Sequence, residues 1–379
     1  MKTILIIGGY GNTGRLIARL LLGQRRNIHV LIAGRNLEKA QALADDLNTA
    51  IGAVRASAIR LDVADPKSLD EALPQCDLVV NAASTLAHTR TYAEAILRHQ
   101  KDGLDIHLSS PEKWTVLNAL RDRFRQSGIV YITDGGFHPG VPAALIRYAA
   151  RQMDVLEKGN VYSAMRIDWG SLEFSRETMD EFVEEFRHYE SGILRGGQWK
   201  NPSMWKTFSF EFDPPFGKQY CVPMYMRELG ELARQLPGLQ ETGFYVTGFN
   251  PLVDYVLSPV VFAGVKTLPP RLHSPLVNMF VWGLKRTKPP YGVQLVADCE
   301  GKCDGAPMAF RLTLFHEDGY VLTAVPAVAC LLQYLDGRLN QPGLHLQGNA
   351  VEPERFLKDM ERMGIQVTEK EQVLEAVAG

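Results

Sequence analysis

Residues 2–7 (KTILII) form an apolar run of strand length, and the chain then turns through Gly8-Gly9-Tyr10-Gly11-Asn12-Thr13-Gly14. Gly9, Gly11 and Gly14 carry the spacing G-x-G-x-x-G, and a helical pattern with Leu16, Ile17, Leu20 and Leu21 on one face follows at once. Few folds admit strand, glycine turn and helix in that order. The first glycine permits the tight turn, the second lets a pyrophosphate approach the backbone, and the third lets the helix pack on the strand. The helix N-terminus offers unpaired N–H groups and a positive dipole end to the phosphates. Gly9, Tyr10, Gly11, Asn12, Thr13 and Gly14 are therefore candidate dinucleotide-binding residues.

The second strand, Asn27 to Ala33, ends in Gly34-Arg35-Asn36. An NAD-binding unit usually places an acidic residue here, about twenty positions beyond the glycines, to hold the ribose hydroxyls. Arg35 stands there instead, and its planar fork suits a 2′-phosphate. The expected cofactor is NADP(H), with Arg35 and Asn36 at its phosphorylated ribose.

Short β-rich runs alternate with helical patterns to about residue 134, the signature of a doubly wound parallel Rossmann sheet. Further strands are expected at 56–61, 77–80, 104–108 and 128–133. Ligands bind beyond the carboxyl ends of such strands. That rule places Asp62 and Val63 near the adenine, Asn81, Ala82, Ala83 and Ser84 at the nicotinamide ribose, and Asp134, Gly136 and His138 on the nicotinamide side.

After residue 134 the rhythm changes, through the glycine and proline cluster GGFHPGVP. Helical patterns are expected at 143–152 and, acidic, at 176–188; strands are expected at 160–168, 208–212, 243–247 and around 292–315. Strands without regular crossover helices imply a second, mixed α+β domain. The expected division is an NADP-binding domain over 1–134, completed by C-terminal helices from 326–379, and a substrate domain over 135–325, with catalysis in the cleft between them. Pro326 and Pro353 are read as opening helices, and Thr368 with Glu371 as a capping box for the last one.

At 379 residues, 46% hydrophobic and 22% charged, the chain has an ordinary globular composition, and a net charge of −2 gives no basic footprint for nucleic acid. Five scattered cysteines make no disulfide framework, and Cys299 and Cys303 lack the two further ligands a zinc site needs. No run approaches the ~18 apolar residues that span a bilayer. A cytoplasmic protein with a small-molecule substrate is expected, with no metal and no membrane surface as partner, leaving room for a homodimer. The apolar region from Pro251 to Leu284 is open to three readings: buried helices, a subunit interface, or a greasy patch or tunnel.

The motifs together resemble the saccharopine dehydrogenase-like oxidoreductases. The likeness rests on GGYGNTG at 8–14, AGRN at 33–36, LDV at 61–63, VNAA at 80–83 and GFHPG at 136–140. It is firm over residues 1–145 and weaker beyond. The resemblance implies an NADP-binding Rossmann domain, a second α/β domain, and hydride transfer to or from a carbon bound to nitrogen in an amino-acid or polyamine substrate. Two positions depart from the family: His138 replaces an aspartate in the junction turn, and LDIHLS at 104–109 replaces a strand ending in tyrosine and aspartate.

Hydride transfer needs a proton donor or acceptor for the heteroatom. His138 is the first candidate, since an ordinary imidazole titrates near about 6.5, and Asp134 is the second. A short-chain dehydrogenase would need Tyr-x-x-x-Lys, which the chain lacks. Two alternatives stay open: an enoyl-type reductase of an apolar acyl substrate, and a non-catalytic NADPH sensor.

Overall fold

The computed structural model describes residues 1–171, 187–203, 206–247 and 249–373. They divide into two compact units, one of residues 1–141 and 323–352, the other of residues 142–322 and 353–379. The acidic stretch 176–188, expected helical, lies outside the described residues except for its last two positions.

The first unit is built on a seven-stranded parallel sheet. Its strands are β1 (Lys2–Ile7), β2 (Ile28–Gly34), β3 (Ala56–Arg60), β4 (Leu78–Asn81), β5 (Asp102–Asp105), β6 (Val130–Thr133) and a late arrival, β15 (Gly343–Leu346), in the order β15-β6-β5-β4-β1-β2-β3. β1 lies near the middle, and Ile4 to Ile7 are almost fully buried, as a strand covered on both faces requires. The helix after it, α1 (Asn12–Gln24), buries Gly14, Ile17, Ala18, Leu21 and Leu22 at the 3–4 residue spacing of one helical face. Helix α2 (Leu37–Ile51) is capped by the Asn36 side chain and ends on Gly52 in the left-handed region, φ +66°. Asp65 with Pro66 and Ser110 with Pro111 start α3 (Pro66–Ala72) and α5 (Pro111–Gln126). Leu69, Tyr92, Ile96, Leu117, Leu120 and Phe124 pack with Leu5, Ile7, Leu31 and Val79 into one core beneath the sheet.

The second unit carries a mixed sheet, ordered β10-β11-β12-β7-β13-β14-β16, in which β10 is Phe208–Glu211, β11 Lys218–Met224 and β16 Gln366–Val373. Its long centre is antiparallel: β7 (Val155–Arg166) pairs with β13 (Gly292–Cys303), and β13 with β14 (Ala306–His316). β12 (Glu241–Thr247) joins β7 in parallel. Tyr162 stacks between Phe210 and Tyr245 with ring centroids 3.8 and 4.8 Å away. The apolar region 251–284 forms helical segments with a core of Val253, Leu257, Val261, Phe280 and Leu284, while Tyr255, Val256, Val260 and Trp282 stay exposed. The doubly wound sheet with a second mixed α/β unit agrees with the fold read from the sequence.

Three local expectations are corrected. The fifth strand runs Asp102–Asp105 in place of the expected 104–108, and beyond its end the His107 carbonyl accepts from Lys113 Nζ instead of a neighbouring strand. Pro326 lies inside the helix Gly319–Leu335 rather than opening it. Thr368 and Glu371 cap no helix: Gln366–Val373 is β16, antiparallel to β14, where Thr313 pairs with Thr368 and Phe310 with Glu371. A strand edge offering eight partners outweighs one local cap.

A Cβ on Gly14 would stand 2.2 Å from the Gly8 carbonyl oxygen. Gly14→Ala is therefore expected to push α1 off β1, lowering stability by about 1–3 kcal/mol and abolishing dinucleotide binding, as read by denaturant titration and calorimetry.

Candidate functional site

Parallel register aligns the strand ends. Ile7 pairs with Ala33 on one side and Asn81 on the other, and Asn81 pairs with Asp105. The turns after β1, β2, β4 and β5 therefore leave the sheet at one edge, where such folds bind ligands.

The glycine turn is closed by hydrogen bonds from Gly11 N–H to the Gly8 carbonyl (2.9 Å) and from Gly9 N–H to the Ala33 carbonyl (3.1 Å). A Cβ on Gly9 would strike Ile32 and the Ile6 carbonyl at 2.9 Å. Gly11 caps α1 with extended backbone, no side chain bonds the first turn, and no acidic residue sits there. Amides of Asn12 and Thr13 thus head a helix whose dipole no side chain offsets, which fits a diphosphate.

Tyr10 joins this turn to the next one. Its ring fills the space a Cβ on Gly34 would take, 2.4 Å from ring carbon Cε1, and its hydroxyl accepts the Asn36 backbone N–H at 3.1 Å. Arg35, between those two residues, is exposed at the strand end. The Asn36 side chain accepts from Lys39 N–H at 2.9 Å and so is occupied as a helix cap.

After β3, Asp62 accepts from Ala64 N–H at 3.0 Å in a local turn, and Val63 is buried in the core, leaving backbone as its contribution to any ligand. After β4, Asn81 is buried, donates to Thr85 Oγ1 at 2.9 Å and accepts from Ala83 N–H at 3.3 Å. Ala82 N–H donates to the Ile7 carbonyl at 2.9 Å. Ala83 abuts Gly8, whose Cβ would lie 2.9 Å from Ala83 backbone, and Ser84 is half-buried beside it.

After β6 lies a buried charge cluster. Lys113 Nζ sits 2.9 Å from Asp105 Oδ1 and 2.8 Å from Asp134 Oδ1, all with side chains at 1–2% exposure. Tyr131 OH donates to Asp105 Oδ2 at 3.1 Å, and Thr133 OH to Asp134 Oδ1 at 3.3 Å. Burial alone would raise the Asp105 carboxyl, but the Lys113 ammonium and His107 hold it below the usual carboxylate range. Burial would lower Lys113, and the two carboxylates keep it above its ordinary value. Asp134 takes φ +57°, a left-handed conformation that aspartate tolerates better than most residues.

His138 is half-buried, its ring edge-on to Phe137 at 3.8 Å between centroids. Desolvation pushes its imidazole down to about 3, so the ring is neutral at physiological pH. Gln347, on the short helix after β15, accepts from Gly136 N–H at 3.4 Å and donates to the carbonyls of Gly136 (3.0 Å) and Gly140 (3.2 Å). Gln347 and Lys113 escaped the sequence reading. Gln347 comes from a segment 211 residues away from Gly136, and no local signal marks it. Lys113 could have been noticed as a cation in the first turn of a helix, where the dipole disfavours it.

Fold and glycine turn define a dinucleotide-binding protein, and its full-length relatives are oxidoreductases by name. Residues 4–132 match the saccharopine dehydrogenase NADP-binding domain. Carboxynorspermidine synthase of Vibrio cholerae is 25% identical over 374 residues, covering 88% of this chain and 83% of its own. Carboxyaminopropylagmatine dehydrogenase of Synechocystis is 21% identical over 412 residues, covering 96% of each. The structure of saccharopine dehydrogenase (L-Glu forming) from Saccharomyces cerevisiae superimposes with a TM-score of 0.69 at 17% identity, over 98% of this chain and 100% of that one. Residues 4–132 thus form a saccharopine dehydrogenase-type NADP-binding domain, and the likeness to these dehydrogenases and synthases runs the length of the chain. Among the described residues no helix is long and apolar enough to cross a membrane.

Two outcomes are expected. Gly34→Ala should displace Tyr10 and weaken NADPH binding about tenfold or more, measured by calorimetry, since it moves the Arg35 turn. Lys113→Met should strand two buried carboxylates and cost about 3–5 kcal/mol in denaturant unfolding at pH 7. In the native protein the Asp105 contribution is present above its usual value near 4 and lost as pH falls through its lower folded value. That of Lys113 is present below about 10.4 and lost as pH rises through its raised one. In Lys113→Met the Asp105 carboxyl keeps its burial but loses the ammonium and shifts upward instead, so the stability deficit should shrink between about pH 7 and pH 5.

Proposed function

We propose that this protein uses NADPH to reduce a carbon–nitrogen double bond in a carboxylated polyamine precursor, giving a secondary amine, or runs that reaction in reverse. The observation that carries the reading is the end-to-end similarity to two enzymes named for carboxynorspermidine and carboxyaminopropylagmatine, which extends through the second unit as well as the first. Reduction adds a hydride to carbon and a proton to nitrogen, and the dinucleotide supplies the hydride.

In this reading the glycine turn, Gly9 to Gly14, holds the diphosphate on backbone amides, and Arg35 with the Asn36 backbone holds the 2′-phosphate. Asp62 and Val63 border the adenine side, while Asn81, Ala82, Ala83, Ser84 and Gly136 line the nicotinamide side. His138 enters as a neutral hydrogen-bonding group, in keeping with its depressed basicity. Asp134, fixed by Lys113, belongs to a cluster of two carboxylates against one ammonium, whose net negative charge suits a cationic substrate nitrogen.

Arg35→Ala is expected to weaken NADPH binding about 10- to 100-fold and to leave NADH binding within about twofold, by calorimetry with each dinucleotide. The substrate class is tested by incubating the enzyme with NADP⁺ and either carboxynorspermidine or carboxyaminopropylagmatine and following NADPH formation. Turnover of one of them is expected. Silence with both, alongside activity on an unsaturated acyl substrate, would overturn the reading.

A further inference from the structure

The loop after β4 is fastened from a neighbouring strand by a histidine. His107 Nε2 is in hydrogen-bond contact with the Ala83 carbonyl, and because a carbonyl only accepts, Nε2 carries the proton there. The same nitrogen lies 3.5 Å from Thr85 Oγ1, which the buried Asn81 amide also reaches. Ala83 is the residue packed against Gly8, so its position sets how close the β4 loop comes to the glycine turn.

His107 is itself held on three sides. Its backbone N–H donates to Asp105 Oδ1 at 3.2 Å, its carbonyl accepts from Lys113 Nζ at 2.7 Å, and its Nδ1 faces Asp105 Oδ1 at 3.8 Å. Lys113 in turn is anchored on Asp105 and Asp134. Such a cluster is costly: three charged groups are withdrawn from water, and the cation opposes the dipole of α5. An apolar core would hold β5 to β6 without it. What the cluster adds is a fixed direction for the backbone and ring of His107.

We propose that His107 is a positioning residue for the dinucleotide: its Nε2–H clamps the Ala83 carbonyl and so sets the β4 loop against the glycine turn, with Asp105, Lys113 and Asp134 as its rigid base. The proposal rests on the reading that the nicotinamide half of the cofactor lies along the β4 loop.

The test compares His107→Gln, whose amide nitrogen can replace Nε2, with His107→Asn, whose shorter amide cannot reach Ala83. Binding of NADPH, NADH and 2′,5′-ADP is measured by calorimetry on variants whose circular dichroism matches the parent. The Asn variant is expected to lose about tenfold for NADPH and NADH alike, with 2′,5′-ADP unchanged because it lacks the nicotinamide half; the Gln variant is expected to stay within about twofold. Equal losses for all three ligands, or no loss in the Asn variant while Arg35→Ala and Gly34→Ala still weaken NADPH, would overturn the clamp alone. If none of these substitutions affects NADPH binding, the cofactor placement falls as well.

Discussion

Backbone packed directly on backbone at the start of α1 is the constraint on which the first unit turns. Gly14 sits where any side chain would meet the Gly8 carbonyl at 2.2 Å, and Gly9 where one would meet Ile32. That contact brings the first amides of the helix over the end of β1, with no capping side chain between them and a ligand. Tyr10 extends the same geometry sideways, since its ring lies on Gly34 and its hydroxyl holds Asn36, so the turn that carries Arg35 is set by the glycine turn itself. Two turns on adjacent strands are thereby held as one body, and neither can shift alone.

The other side of the strand edge uses charge where the first uses close packing. Asp105, Lys113 and Asp134 are buried among Tyr131 and Thr133, with most of their polar atoms paired. An ion triad of this kind adds little net stability over an apolar replacement, but removing one member leaves the others unbalanced. It fixes direction rather than strength. In a sheet otherwise lined by leucine, isoleucine and valine, directional contacts are what place a backbone to within a hydrogen bond.

The Rossmann unit was legible because its signals are local. Three glycines, an arginine at the end of β2 and the Asp65-Pro66 and Ser110-Pro111 caps each act within a few residues. The parts that escaped depend on distant partners. β15 is four residues long and becomes a strand only because Ile129 and β6 are there to receive it, starting with Gly343 N–H on the Ile129 carbonyl at 2.8 Å. The segment from Gln366 carries both a capping-box spacing and a strand alternation, and β14 decides between them. The motif marks the turns after β1 and β2 in the sequence, whereas Gln347 and Lys113 act through contacts that no periodicity encodes. An ordinary imidazole's affinity for protons singles out His138 in the sequence, and burial in its surroundings removes that property.

Neither unit is a continuous stretch of chain: the sequence passes from one to the other after residues 141, 322 and 352. Synthesis from the N-terminus therefore leaves β6 with one open edge until residues 343–346 emerge, and β14 likewise until residues 366–373 follow. Unpaired strand edges are templates for wrong partners. The burden on the nascent polypeptide is thus heaviest while two nearly finished sheets each await one closing strand.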